Sequence, residues 1–64
     1  MPIININILK GRSDEQKEAL IHELTEACQR ALGSSKESVH VIISEMDKQH
    51  YGAGGVSYKK KTDG

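Results

Sequence analysis

Alternation dominates the first stretch of the chain. Over positions 2–9, Ile4, Ile6 and Ile8 fall on one side, and Ile3, Asn5, Asn7 and Leu9 fall on the other. β-Branched residues at a period of two predict a strand with one buried face. Lys10-Gly11-Arg12 reads as its exit loop. The period then lengthens. Leu20, Ile21, Leu24, Ala27, Cys28, Ala31 and Leu32 form one apolar stripe at helical spacing, with Lys17, Glu18, Glu23, Glu26 and Arg30 on the other side. Ser13 can cap this helix and Gln16, three residues on, can complete a capping box. Asp14 and Glu15 occupy the first turn, where the helix dipole favours anions. Gly33 suits the left-handed stop. The pattern therefore predicts a helix over 14–32, roughly 28 Å long at about 1.5 Å per residue. Alternation returns over 39–46: Val39, Val41 and Ile43 point one way, and His40, Ile42, Ser44 and Met46 the other.

Strand, long helix, strand is a βαβ unit, so the two strands are expected to be parallel with a right-handed crossover. The glycine-rich run Tyr51–Tyr58 has room for a short hairpin, and the polar segment from Lys59 to Gly64 is expected to fray. The fold class is α/β: a short βαβ subunit with parallel strands and a C-terminal β-hairpin. One helix on two strands leaves a sheet face and two edges bare, which calls for partner chains.

Size sharpens that expectation. A single domain of 64 residues buries only about 60% of the surface its unfolded chain exposes. Cys28 is alone, so no disulfide can help. His22, His40 and His50 lack metal-ligand spacing, so no metal site is expected. There is no Trp or Phe. Oligomerisation is the remaining way to complete a core. Nine basic residues balance nine acidic ones, which argues against a nucleic-acid footprint. No run approaches a membrane span, and no secretory signal pattern follows Met1. A lone free cysteine fits a reducing cytoplasm.

Two residues carry candidate chemistry. Removal of Met1 would turn Pro2 from a tertiary amide into a free secondary amine. A chain-terminal amine titrates near about 7.7–8.0, and an apolar pocket or a nearby cation lowers that value. Such an amine is a usable base at neutral pH. On its own, Pro2 reads first as a tolerated first residue of a strand. Arg12, at the strand-to-helix junction, can grip a carboxylate with both arms of its guanidinium, or simply sit in water.

Taken together the residues are more informative. Met1-Pro2-Ile3, then Gly11-Arg12-Ser13-Asp14-Glu15-Gln16-Lys17, then Val41-Ile42-Ile43 with Glu45-Met46, then His50-Tyr51-Gly52-Ala53-Gly54-Gly55, resemble the 4-oxalocrotonate tautomerase family over nearly the whole chain. The resemblance implies βαβ subunits assembled as hexamers, a trimer of dimers. It implies an amino-terminal proline that shuttles a proton between the enol oxygen and a carbon of a conjugated 2-hydroxy acid, with no metal or organic cofactor. It implies a place in aromatic hydrocarbon catabolism. Carried over by position, Pro2 is the catalytic proline and Arg12 the arginine that binds substrate and draws electron density. Leu9 and Tyr51 fall on pocket-wall positions. The family's second arginine falls on His40, which is a departure. Imidazole is shorter, lacks the fork and is only partly charged near neutrality. Three explanations stand open: a different enol or keto acid as substrate, a hetero-oligomer whose partner supplies an arginine, or a relative of low activity. His40 as a substrate contact and His40 as an ordinary exposed strand residue are weighed equally.

The leading expectation is a cofactor-independent tautomerase acting on a small unsaturated 2-hydroxy or 2-oxo acid. Pro2 serves as general base and then general acid, and Arg12 holds a carboxylate. Leu9 and Tyr51 exclude water, and His40 orients the other end of the substrate. The expected assembly is a homohexamer, with a hetero-oligomer as alternative, and the pocket draws on more than one subunit. A second reading keeps the proline but adds water to an activated alkene acid, including dehalogenation of a haloacrylate, with Glu45 as the candidate water-activating carboxylate. A third is a non-catalytic oligomeric relative.

Overall fold

The computed structural model describes residues 1–63. Strand β1 spans Ile3–Leu9, helix α1 spans Asp14–Leu32 and strand β2 spans His40–Met46. Single 3₁₀ turns at Lys36–Ser38 and Lys48–His50 flank β2. A hairpin of two-residue strands, β3 (Gly52–Ala53) and β4 (Val56–Ser57), leads into a short helix α2, Tyr58–Asp63. Both long strands start one residue later than the sequence pattern implies, and α1 has the bounds the pattern predicts.

β1 and β2 pair in parallel, from Ile3 opposite His40 to Leu9 opposite Met46. α1 is the crossover between them. Its start is a full capping box: Ser13 Oγ accepts from the Gln16 N–H at 3.1 Å, and Gln16 Oε1 accepts from the Ser13 N–H at 2.9 Å. Its end is Gly33 at φ 70°, whose N–H donates to the Gln29 carbonyl at 2.9 Å. That left-handed conformation favours glycine.

The expected faces hold. Ile4, Ile6 and Ile8, with Val41 and Ile43, are half-buried, as are Leu20, Ile21, Leu24 and Cys28 of α1. The opposite sheet face is open: Ile3 is 56% and Ile42 49% exposed. The last turns of the helical stripe are open too, with Leu32 65% exposed. No described residue is fully buried. The chain shows 4900 Å² of surface, against about 4,100 Å² expected for a compact monomer of this mass. Its radius of gyration is 15.0 Å, where about 11 Å is expected. One chain therefore forms every hydrogen-bonded element but no closed core.

Two glycines make the hairpin. Gly54 and Gly55 have φ of 63° and 83°, and positive φ at both central residues is what a two-residue I′ turn needs. The polar tail from Lys59, expected to fray, is instead helical through Asp63. Ser57 Oγ accepts from the Lys60 N–H at 3.1 Å, and the Tyr58 N–H donates to the Tyr51 carbonyl at 2.7 Å. These two bonds satisfy amides that a fraying end would leave to water. Gly64 lies outside the described residues.

Two stability measurements follow. Ser13→Ala removes half of the capping box and is expected to cost about 1 kcal/mol in chemical denaturation. Because a lone chain closes no core, the thermal midpoint should rise with protein concentration. A midpoint independent of concentration over a hundredfold range would mean that the open faces need no partner.

Candidate active site

The expected site residues gather at the two ends of β1. At the start, Pro2 is half-buried and immediately precedes the strand. Its carbonyl accepts from the His40 N–H at 3.0 Å. Pro2 and His40 are thus neighbours on adjacent strands, and the Pro2 backbone is anchored by the sheet. Met1 is 82% exposed and stands clear of the fold.

At the far end, Leu9 closes β1 and is half-buried. Gly11, at φ 125°, then turns the chain toward the helix. Arg12 is exposed and makes no ion pair among the described residues. The seven residues of β1 span about 20 Å at about 3.3 Å each. Within one chain, Pro2 and His40 are therefore held apart from Leu9 and Arg12.

Tyr51 belongs to the Arg12 end. Its ring packs against Tyr58, with centroids 6.0 Å apart and planes at 55°. Tyr58 in turn lines a surface depression with Leu9, Arg12 and Lys48. Tyr51 itself is 45% exposed.

The charges nearby are sorted into paired and unpaired groups. Lys10 Nζ lies 3.1 Å from Asp47, which also faces His50 Nδ1 at 3.8 Å. The hydrogen bond from Lys10, with its positive charge, holds the Asp47 carboxyl below the usual range. Lys17 Nζ sits between Glu45 at 3.3 Å and Asp14 at 3.4 Å. The hydrogen bond to Glu45 is the main reason its ammonium is held above the ordinary lysine value. Among the described residues no three His, Cys, Asp or Glu side chains gather as a metal site. Among the described residues no helix is long and apolar enough to cross a membrane.

The tautomerase family model, described as a tautomerase enzyme, matches residues 2–61, from Pro2 to the middle of α2. The chain belongs to the tautomerase family. It is therefore grouped with isomerases. It is 59% identical over 59 residues to the 2-hydroxymuconate tautomerase of Stutzerimonas stutzeri, covering 92% of this chain and 94% of that one. A solved 4-oxalocrotonate tautomerase homologue of the tomaymycin biosynthetic pathway, TomN, superimposes with a TM-score of 0.95 at 33% identity, covering 98% and 97% of the two chains. A heterohexameric 4-oxalocrotonate tautomerase from Chloroflexus aurantiacus superimposes with a TM-score of 0.89 at 35% identity, covering 94% and 97%.

In this tautomerase, Glu45 lies opposite Ile8, at the Arg12 end of the sheet, with Lys17 Nζ 3.3 Å from its carboxylate. Two residues at the Arg12 end escaped the sequence reading. Lys48 sits in a turn with no periodic signature, and Tyr58 sits at a hairpin end that reads only as tail. Only folding brings them beside Leu9 and Arg12.

The Asp47 pair makes a pH-dependent contribution of known sign. A carboxyl that titrates lower when folded stabilises the fold above the ordinary carboxylate range, and that contribution fades as pH falls through the lowered value. Asp47→Asn should lower the urea midpoint slightly at about pH 7 and leave it unchanged at about pH 2, since exposed pairs contribute little. An equal loss at both pH values would assign the effect to something other than the ion pair.

Proposed function

We propose that the chain catalyses keto–enol tautomerisation of a small unsaturated 2-hydroxy or 2-oxo acid through the amine of Pro2, once Met1 has been removed. The observation that carries this reading is the anchoring of Pro2. Its carbonyl is tied to the His40 N–H at 3.0 Å while Met1 projects outward, 82% exposed. Cleavage after Met1 would leave the ring nitrogen at a defined point on the sheet without disturbing any strand hydrogen bond. Similarity to a 2-hydroxymuconate tautomerase supports the substrate class.

The proton path needs little machinery. The neutral amine takes the enol proton, and the resulting ammonium returns a proton to carbon. Arg12 would hold a carboxylate with both arms of its guanidinium and stabilise negative charge as it builds toward that end. Leu9 and Tyr51 would wall the substrate from water, and His40 would contact the end nearest Pro2. No metal or organic cofactor enters this scheme.

Pro2 and Arg12 cannot act on one small molecule within one chain, because the length of β1 separates them. The working site therefore joins Pro2 and His40 of one subunit to Leu9, Arg12 and Tyr51 of another. The open sheet face, with Ile3 and Ile42, is available for that assembly. We infer a homohexamer in the cytoplasm. The heterohexamer solved from Chloroflexus aurantiacus makes a mixed assembly the alternative.

Intact mass of the purified protein should show the loss of one methionine. With 2-hydroxymuconate as substrate, Pro2→Ala should lower kcat/KM by about 10²–10⁴-fold. Arg12→Ala should lower it by about 10–100-fold, the worth of a charged hydrogen-bonded contact. Retention of Met1 would favour a non-catalytic oligomeric relative, and full activity in Pro2→Ala would mean that another group moves the proton.

A further inference from the structure

We propose that Lys48, held over the Tyr58 ring, is a second carboxylate-binding residue, which makes the site selective for dicarboxylate substrates. This deepens the preceding reading, because it assigns a substrate class to the same pocket.

The argument starts from which cations near Arg12 are already neutralised. Lys10, Arg12 and Lys48 line one surface depression, together with Leu9 and Tyr58. Lys10 is paired with Asp47 at 3.1 Å. Asp47, the carboxylate next to Lys48 in sequence, is thereby engaged, and its remaining neighbour is His50 at 3.8 Å. Neither Arg12 nor Lys48 has a carboxylate within ion-pair distance among the described residues. Two unneutralised cations therefore share one concavity. A single carboxylate bound by both arms of the Arg12 guanidinium leaves the Lys48 charge unused, and a second carboxylate on the same small molecule would use it.

The position of Lys48 is also constrained. Its Nζ lies 6.0 Å from the centroid of the Tyr58 ring, within reach of a cation–π attraction of about 0.5–1 kcal/mol. Tyr58 is half-buried and is fixed from behind by Tyr51, through the 2.7 Å backbone bond and the tilted ring pair. Lys48 also opens the 3₁₀ turn Lys48–His50, so its backbone is not free. A lysine whose ammonium already lies over a ring loses less rotamer entropy on binding an anion than one free in solvent. His40 lies opposite Ile3, at the other end of the sheet, and does not line this depression.

The test uses two non-reacting probes that differ by one carboxylate: trans,trans-muconate and sorbate, each a six-carbon diene acid. Binding to the assembled protein is measured by calorimetry at fixed ionic strength. The wild type should bind muconate about tenfold or more tighter than sorbate, the worth of a charged hydrogen bond. Lys48→Met keeps the apolar stem and should erase that preference while leaving sorbate affinity unchanged. Lys48→Arg should restore the preference. Arg12→Ala should weaken both probes. A wild type that binds the two alike, or a Lys48→Met variant that keeps the preference or loses both affinities equally, would overturn the assignment. Because binding needs no proton transfer, an inactive Pro2 mechanism would leave this result standing. An active enzyme with an unchanged Lys48→Met preference would sink only the Lys48 assignment.

Discussion

A two-stranded parallel sheet with one helix laid across it cannot enclose anything. The ladder from Ile3–His40 to Leu9–Met46 holds the strands at a fixed register, and α1 covers one of its two faces. The other face, with Ile3 and Ile42, therefore remains open to water. At about 25 cal/mol for each Å² of apolar surface, leaving such a face wet forgoes much of the stabilisation that a small domain needs. The ladder that makes the chain fold is thus also what leaves it unfinished. Partner chains are the physical completion of the same constraint.

The register also constrains the proposed chemistry. Seven residues of strand separate Pro2 from Arg12 more firmly than any loop could. A flexible connection would let one chain fold its two ends together. A strand cannot, because the ladder to its neighbour holds its backbone extended along its whole length. Under the proposed mechanism, the base at one end and the carboxylate-binding group at the other can meet only by stacking one copy on another. That proposal couples assembly to catalysis: whatever weakens the interface would remove the site as well as the core.

Charge at the Arg12 end follows from local pairing rather than from composition. Equal numbers of acids and bases suggest a neutral surface. Pairing removes Lys10 and Asp47 from the field, and Lys17 with Glu45 and Asp14 on the helix side. What remains in the depression is Arg12 and Lys48, against the apolar wall of Leu9 and Tyr58. Balanced net charge therefore coexists with a locally cationic concavity, which is the kind of surface a small organic acid seeks.

Wherever a residue's immediate neighbours set its conformation, the sequence alone was sufficient. Period-two isoleucines, the Ser13–Gln16 capping box, the Gly33 stop and the paired glycines of the hairpin all act over a few residues, and each behaves as its spacing implies. Leu9, His40 and Tyr51 came forward only through the family resemblance of the whole chain, whereas the same short-range logic offered Pro2 and Arg12 as candidate chemistry. It misjudged the tail, because the helix from Tyr58 depends on a backbone bond to Tyr51 and on the Ser57 hydroxyl, neither of which has a periodic signature. Tertiary structure alone decided which site residues share an end of β1. It also decided that Lys17 occupies Glu45, and that Lys48 and Tyr58 stand beside Arg12. Those relations join residues far apart in the chain, and their distances are set by strand register and side-chain packing, which no local pattern encodes.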